Sequence, residues 1–172
     1  MKKIFSIIAV ALCLSAVTTT VSAQETQAKF DKRIAKAEAG DADAMYKVAS
    51  IYEKGKDEIA QDAKKALEWV EKAAAAGHTK ALVKLGGIYH KGELVEKNDQ
   101  KAFECYDKAA KSGDAKALYQ LANAYEKGYN GTKDLDKAKE LYTQSKAAGY
   151  DKADQALVKL AEKIAKRDPK KK

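Results

Sequence analysis

Residues 116–128 read KALYQLANAYEKG, and two earlier stretches nearly repeat them: DAMYKVASIYEKG at 43–55 and KALVKLGGIYHKG at 80–92. Small or apolar residues recur three and four positions apart, at Ala44, Met45, Val48, Ala49, Ile51 and Tyr52 in the first copy. Ala81, Leu82, Leu85, Gly86, Ile88 and Tyr89 do the same in the second, and Ala117, Leu118, Leu121, Ala122, Ala124 and Tyr125 in the third. This spacing winds onto one unusually wide apolar face of an α-helix. Gly55, Gly92 and Gly128 then stand where a helix C-terminus needs a residue that tolerates positive φ.

After each of these glycines a second helix is predicted. It opens at Asp62, Asn98 or Asp134, residue types suited to an N-cap, and continues as AKKALEWVEKAAAAG, DQKAFECYDKAAKSG or LDKAKELYTQSKAAG. Gly40, Gly77, Gly113 and Gly149 punctuate the chain at spacings of 37, 36 and 36 residues, the self-similarity of a stacked array. The units run over about 37–73, 74–109 and 110–145, with a partial fourth at 146–165. A short helix over 28–39 covers the first hairpin through Phe30 and Ile34, and a last helix over 151–167 closes the stack. In that last helix Asp154 stands where the preceding unit has Leu118 and Ala161 where it has Tyr125, giving the wetter outer side a finite stack requires. No run has strand period, and the single proline, Pro169, lies beyond the last helix.

The units resemble the Sel-1-like repeat, a relative of the tetratricopeptide repeat with a pattern close to AxxGxxxAxxxLGxxYxxG followed by DxxKAxxWxxKAAxxG. Unit two supplies Ala74, Gly77, Ala81, Leu85, Gly86, Tyr89 and Gly92, then Lys101, Ala102, Lys108, Ala109, Ala110 and Gly113. Unit one has Val48 and Ala49 in place of the LG pair and one extra loop residue but keeps Trp69. Unit three has Leu141 at the Trp position and reads QSKAAG near its end. The resemblance covers residues 37–165 and implies an all-α fold, a right-handed α/α superhelix of about three hairpins with terminal capping helices. It also implies that the first helices line the concave wall.

The N-terminus has the form of a secretory leader: MKK, the apolar IFSIIAVALCLSAV, and VSA before Gln24. The apolar run is shorter than the roughly 20 residues a bilayer span needs. Cleavage is expected after Ala23, making 1–23 a signal peptide, 24–165 the repeat domain and 166–172 a basic disordered tail. The expected location is periplasmic or secreted, with no stable membrane insertion. The mature chain keeps one cysteine, Cys105, so it cannot form an intramolecular disulfide.

The whole chain carries a formal charge of +8, but much of this sits at its ends. The mature chain has 31 basic against 25 acidic residues, and without the tail 26 against 24. A body so nearly neutral disfavours nucleic acid as a partner, which would need a basic face on the fold itself. No catalytic constellation is visible either. His78 and His90 read as surface residues without a metal-ligand partner, and Cys105, at the Trp69 position, reads as a buried filler. There is no P-loop, nucleophile elbow or dinucleotide fingerprint, and no cofactor or metal site is expected.

A polar stripe remains on the first helices. Asp43, Lys47, Ser50 and Lys54 fall within about 60° of arc at about 100° per residue. Their equivalents are Lys80, Lys84, Gly87 and Lys91, then Lys116, Gln120, Asn123 and Lys127. Seven of these twelve are lysines and one is acidic. The candidate partner-binding residues are Lys47, Ser50, Lys54, Lys84, Gly87, Lys91, Gln120, Asn123 and Lys127, lining a basic groove for an acidic peptide or protein segment. The expected function is a non-catalytic exported interaction scaffold of open oligomeric state. Two alternatives stay open: β-lactam binding or slow hydrolysis, which has been linked to similar exported cysteine-rich repeat proteins whose disulfides this chain lacks, and binding of an anionic envelope polymer.

Overall fold

The structure, a computed structural model, describes residues 24–56 and 59–167. The expected signal peptide and most of the expected basic tail lie outside them. Eight helices occupy the described residues: α1 (24–38), α2 (Ala42–Lys54), α3 (Ala63–Ala75), α4 (Thr79–Lys91), α5 (Asp99–Ala110), α6 (Ala115–Lys127), α7 (Leu135–Ala147) and α8 (Lys152–Arg167). No strand accompanies them there beyond an isolated bridge between Lys56 and Ile59. Within the described residues no helix is long and apolar enough to cross a membrane. The last helix continues through Arg167, two residues into the segment the sequence assigns to a disordered tail.

Each hairpin is closed by the same local chemistry. Asp62, Asn98 and Asp134 cap α3, α5 and α7, their side chains accepting from the backbone N–H of Lys65, Lys101 and Lys137 at 2.8–3.0 Å. The backbone N–H of each capping residue in turn donates to the carbonyl of Tyr52, Tyr89 or Tyr125 at the end of the helix before it. Gly92 and Gly128 make that reversal possible, with φ of 73° and 78° just past the ends of α4 and α6.

Alanines set the spacing of the layers. Ala37, Ala73, Ala81, Ala102, Ala109, Ala117, Ala122 and Ala138 have no exposed surface, so backbones approach closely wherever the repeat places one. Trp69, Cys105 and Leu141 occupy one repeat position, and all three are buried. Ser145 replaces the alanine of the other two units at complete burial, and its hydroxyl is satisfied by the Ala115 carbonyl at 2.6 Å. Two apolar clusters, one running from α1 through units one and two to Ala117 and one from Ala102 and Tyr106 of unit two through unit three to α8, share Tyr89 and Ala110. The core therefore runs the length of the stack. At its ends, Phe30 of α1 packs edge-on against Tyr52, and Leu160 of α8 is 1% exposed.

Candidate functional site

A cleft opens between units one and two, a cavity of about 750 Å³. Its floor is apolar: Ala66, Leu67 and Val70 of α3 face Val83, Gly87 and Ile88 of α4. Tyr46 and Glu53 of α2 form one side, and Lys116 and Gln120 of α6 reach in from the next unit. Lys80, Lys84 and Lys91 supply positive charge, while Glu53, Glu93 and Asp114 oppose it. Lys84 crosses the cleft to pair with Glu53, and Lys91 pairs with Glu93 at 3.4 Å. Lys80 and Lys116 make no ion pair among the described residues and keep their charge for an incoming group. At the mouth sits Leu94, 59% exposed with φ of 66°. An exposed leucine in the left-handed region is a costly conformation that a loop does not adopt by preference.

A repeat-equivalent cleft of about 570 Å³ lies between unit three and α8, where Tyr119, Asn123, Glu126 and Tyr142 face Lys152, Gln155, Lys159, Lys163 and Lys166. The Tyr142 hydroxyl donates to Glu126 at 2.7 Å and also lies 2.9 Å from the Asn123 side-chain oxygen, and Lys163 pairs with the same Glu126. Desolvation works to raise the Glu126 pKa, but the hydrogen bonds from Lys163 and Tyr142 outweigh it and leave it below its ordinary value. Burial, reinforced by the Glu126 carboxylate, pushes the Tyr142 hydroxyl far above the ordinary tyrosine range.

Of the nine residues predicted from the stripe, Lys84, Gly87, Lys91 and Gln120 come together in the first cleft and Asn123 lines the second. Lys47, Ser50, Lys54 and Lys127 line neither. A cleft between neighbouring helices draws on different registers from its two sides. The earlier helix contributes Tyr46 and Glu53, and the later one Lys80, Lys84, Gly87 and Lys91. The same geometry brings in three acids that a unit-by-unit alignment of the stripe leaves out, so the cleft is less basic than expected. Lys127 turns instead to Tyr129, its Nζ 5.8 Å from the ring centroid.

Neither histidine is the surface residue that the sequence suggests. His78 caps α4, its Nδ1 accepting from the Ala81 N–H at 3.1 Å, while its ring stacks on Tyr46 and its Nε2 meets Asp43 at 3.1 Å. Asp41 and Asp114 hold the same capping position in the other units, an alignment that could have revealed the role. His90 joins two units, with Nδ1 2.6 Å from Asp99 and Nε2 2.8 Å from the Tyr129 hydroxyl. This carboxylate–imidazole–hydroxyl chain has the connectivity of a nucleophile relay but the wrong terminus. Burial drives the Tyr129 pKa well above the ordinary tyrosine value, so its oxygen keeps the proton, and its ring stacks on the imidazole that would have to activate it. Desolvation also raises the Cys105 thiol, which is free and buried as expected. Among the described residues no group of three or more His, Cys, Asp or Glu side chains is placed to hold a metal ion.

Stacked hairpins with open clefts between successive units define an α/α repeat solenoid. A family model for the Sel1 repeat matches residues 42–78, 79–114 and 115–150, and the chain belongs to that family. Among solved structures it is similar to a Sel1 repeat protein from Oxalobacter formigenes, at 32% identity and a TM-score of 0.71 over 76% of this chain and 98% of that one. It is also similar to c5321, described as a protective antigen present in uropathogenic Escherichia coli strains, at 30% identity and a TM-score of 0.67. That match covers 74% of this chain but only 27% of the E. coli protein. Cysteine rich protein B of Helicobacter pylori shares the fold at 18% identity and a TM-score of 0.59, over 78% of this chain and 96% of that one. No curated protein matches the chain.

Proposed function

We propose that this chain is an exported, non-catalytic scaffold that holds an acidic segment of another protein in the cleft between its first two units. Sel1 repeat folds typically mediate protein–protein interaction, which sets the class of partner. The observation that carries the reading is the cleft itself: about 750 Å³, apolar at its base, with Lys80 and Lys116 unpaired at its edge. An extended segment can bury side chains on such a base while its carboxylates meet the free ammonium groups. The leader-like N-terminus supports an encounter in the periplasm or outside the cell.

The test is a crosslinking capture from the native envelope with the mature chain, run beside a Lys80→Glu, Lys116→Glu variant. Both substitutions fall on exposed side chains, so the fold should survive them. A partner held by the parent and released by the variant is the expected result. Equal capture by both would move the interaction off this cleft, and steep loss of capture with salt together with glycan or lipid recovery would favour an anionic polymer instead.

A further inference from the structure

One of the differences between the clefts is a side chain of the second helix. Tyr106 in unit two and Tyr142 in unit three lie across the first helix of their own units, and the equivalent residue in unit one is Val70. Tyr142 shows what the ring contributes: its hydroxyl binds the Glu126 carboxylate that Lys163 also pairs. Unit one retains the carboxylate at the equivalent position, Glu53, and a lysine of the following unit, Lys84, pairs it from a different register. It lacks the ring and the hydroxyl. Val70 is fully buried yet is one of the residues that line the cavity, so the position of the missing ring lies against the cleft wall.

Resting on the acidic-segment reading above, the geometry points to a tyrosine of the partner as the group that completes unit one. Its ring lies on Ala66, Val70 and Val83, and its hydroxyl donates to Glu53 as that of Tyr142 does to Glu126. Acidic residues flanking it meet Lys80 and Lys116. Leu94, strained and exposed at the mouth, covers the outer face of the ring once it is seated. A tyrosine therefore binds better than a phenylalanine here, because without the hydroxyl the Glu53 carboxylate is desolvated against an apolar edge and gains no donor beyond Lys84, with which it already pairs.

The probe for the pocket is p-cresol, the tyrosine side chain alone, with toluene as its counterpart lacking the hydroxyl, each titrated into the mature chain and followed by amide chemical shifts. Saturable shifts at Val70, Val83 and Gly87 are expected from p-cresol, with at least tenfold weaker binding of toluene. Val70→Tyr, which builds in the missing ring, should abolish them. Glu53→Gln, on an exposed residue whose loss does not threaten the fold, should narrow the gap between p-cresol and toluene. Two labelled acidic peptides, identical except for a central Tyr or Ala, separate this inference from the broader one. Tenfold tighter binding of the Tyr peptide to the parent than to Val70→Tyr supports the anchor. Equal binding of the two peptides overturns the anchor and leaves the acidic cleft standing. Saturable p-cresol binding with neither peptide bound keeps the anchor and removes the acidic reading. Absence of p-cresol shifts at these amides, or their persistence in Val70→Tyr, overturns the proposal.

Discussion

Replacing Gly86 by alanine should destabilise this protein, although helix propensity alone argues the reverse. Gly86 lies inside α4, where Gly→Ala ordinarily stabilises by about 1 kcal/mol. A methyl group there would sit 2.6 Å from Cε1, 2.9 Å from Cδ1 and 3.0 Å from Cζ of Tyr106. That ring is 3% exposed and has no open side to move toward. Forcing an extra carbon into such a core costs about 1–3 kcal/mol, so the net expectation is a loss of about 1 kcal/mol, or about 2–4 °C in melting temperature for a chain of this size. Urea denaturation of the mature chain followed by circular dichroism would measure it. A double-mutant cycle with Tyr106→Val isolates the contact, since it recreates the Ala49–Val70 pairing of unit one. In that background Gly86→Ala should recover its propensity gain, giving a coupling of about 2 kcal/mol. A melting temperature that rises by 2–4 °C in the single variant would refute the argument that Gly86 exists to admit the ring.

Removing the Tyr142 hydroxyl as Tyr142→Phe leaves Glu126 without a buried donor and should cost about 1.5–3 kcal/mol, the range for hydrogen bonds to charged groups, read as a lower urea midpoint. Because the folded state holds the Glu126 pKa below its ordinary 4.5, the stability this carboxylate contributes is complete above that value and is lost as pH falls through the folded pKa. Melting curves from pH 6 down to pH 3 should therefore show a steeper acid loss for the parent than for Glu126→Gln. Leu94→Gly removes a side chain from the left-handed region and should raise stability by about 1 kcal/mol in the same urea assay; no change would mean the loop carries no strain. With its thiol buried and its pKa raised by desolvation, Cys105 should react with a colorimetric disulfide reagent far more slowly in native than in denatured protein at pH 8.

The hairpins were legible because they rest on short-range rules. The three-and-four spacing, the capping residues Asp62, Asn98 and Asp134 and the glycines at 55, 92 and 128 all lie within one turn of what they determine. Even Cys105 could be placed, since a residue in the Trp69 position inherits its surroundings. The clefts were harder, because their walls depend on how one helix is rotated against the next. The polar stripe assigned Lys47 and Lys54 the same role as Lys84 and Lys91, while the stack turns Tyr46 and Glu53 of α2 into the cavity instead. Leu94 left no trace at all, since its φ is fixed by the path of the loop between Gly92 and Asn98 and not by its own identity. The valine at position 70 was visible, but Val and Tyr both satisfy an apolar pattern, and the pattern does not register the volume that separates them.

That difference in volume is where the three units acquire separate characters. The ring at the second-helix position and the residue beneath it on the first helix form a pair: Ala49 with Val70, Gly86 with Tyr106, Ala122 with Tyr142. In unit two the glycine lets the ring settle against the helix, and Gly87 and His90 stand where unit three has Asn123 and Glu126. In unit three the hydroxyl donates to Glu126 and lies 2.9 Å from the Asn123 side-chain oxygen, holding the ring in a seat compatible with the Ala122 methyl group. Unit one has the alanine and the carboxylate of unit three but not the ring. Apart from Ala122, the fully buried alanines that set the backbone packing lie outside these exchanges, so the clefts can differ while the stack stays the same. A repeat protein can thus keep one fold along its length while confining recognition to the unit whose own side chain is missing.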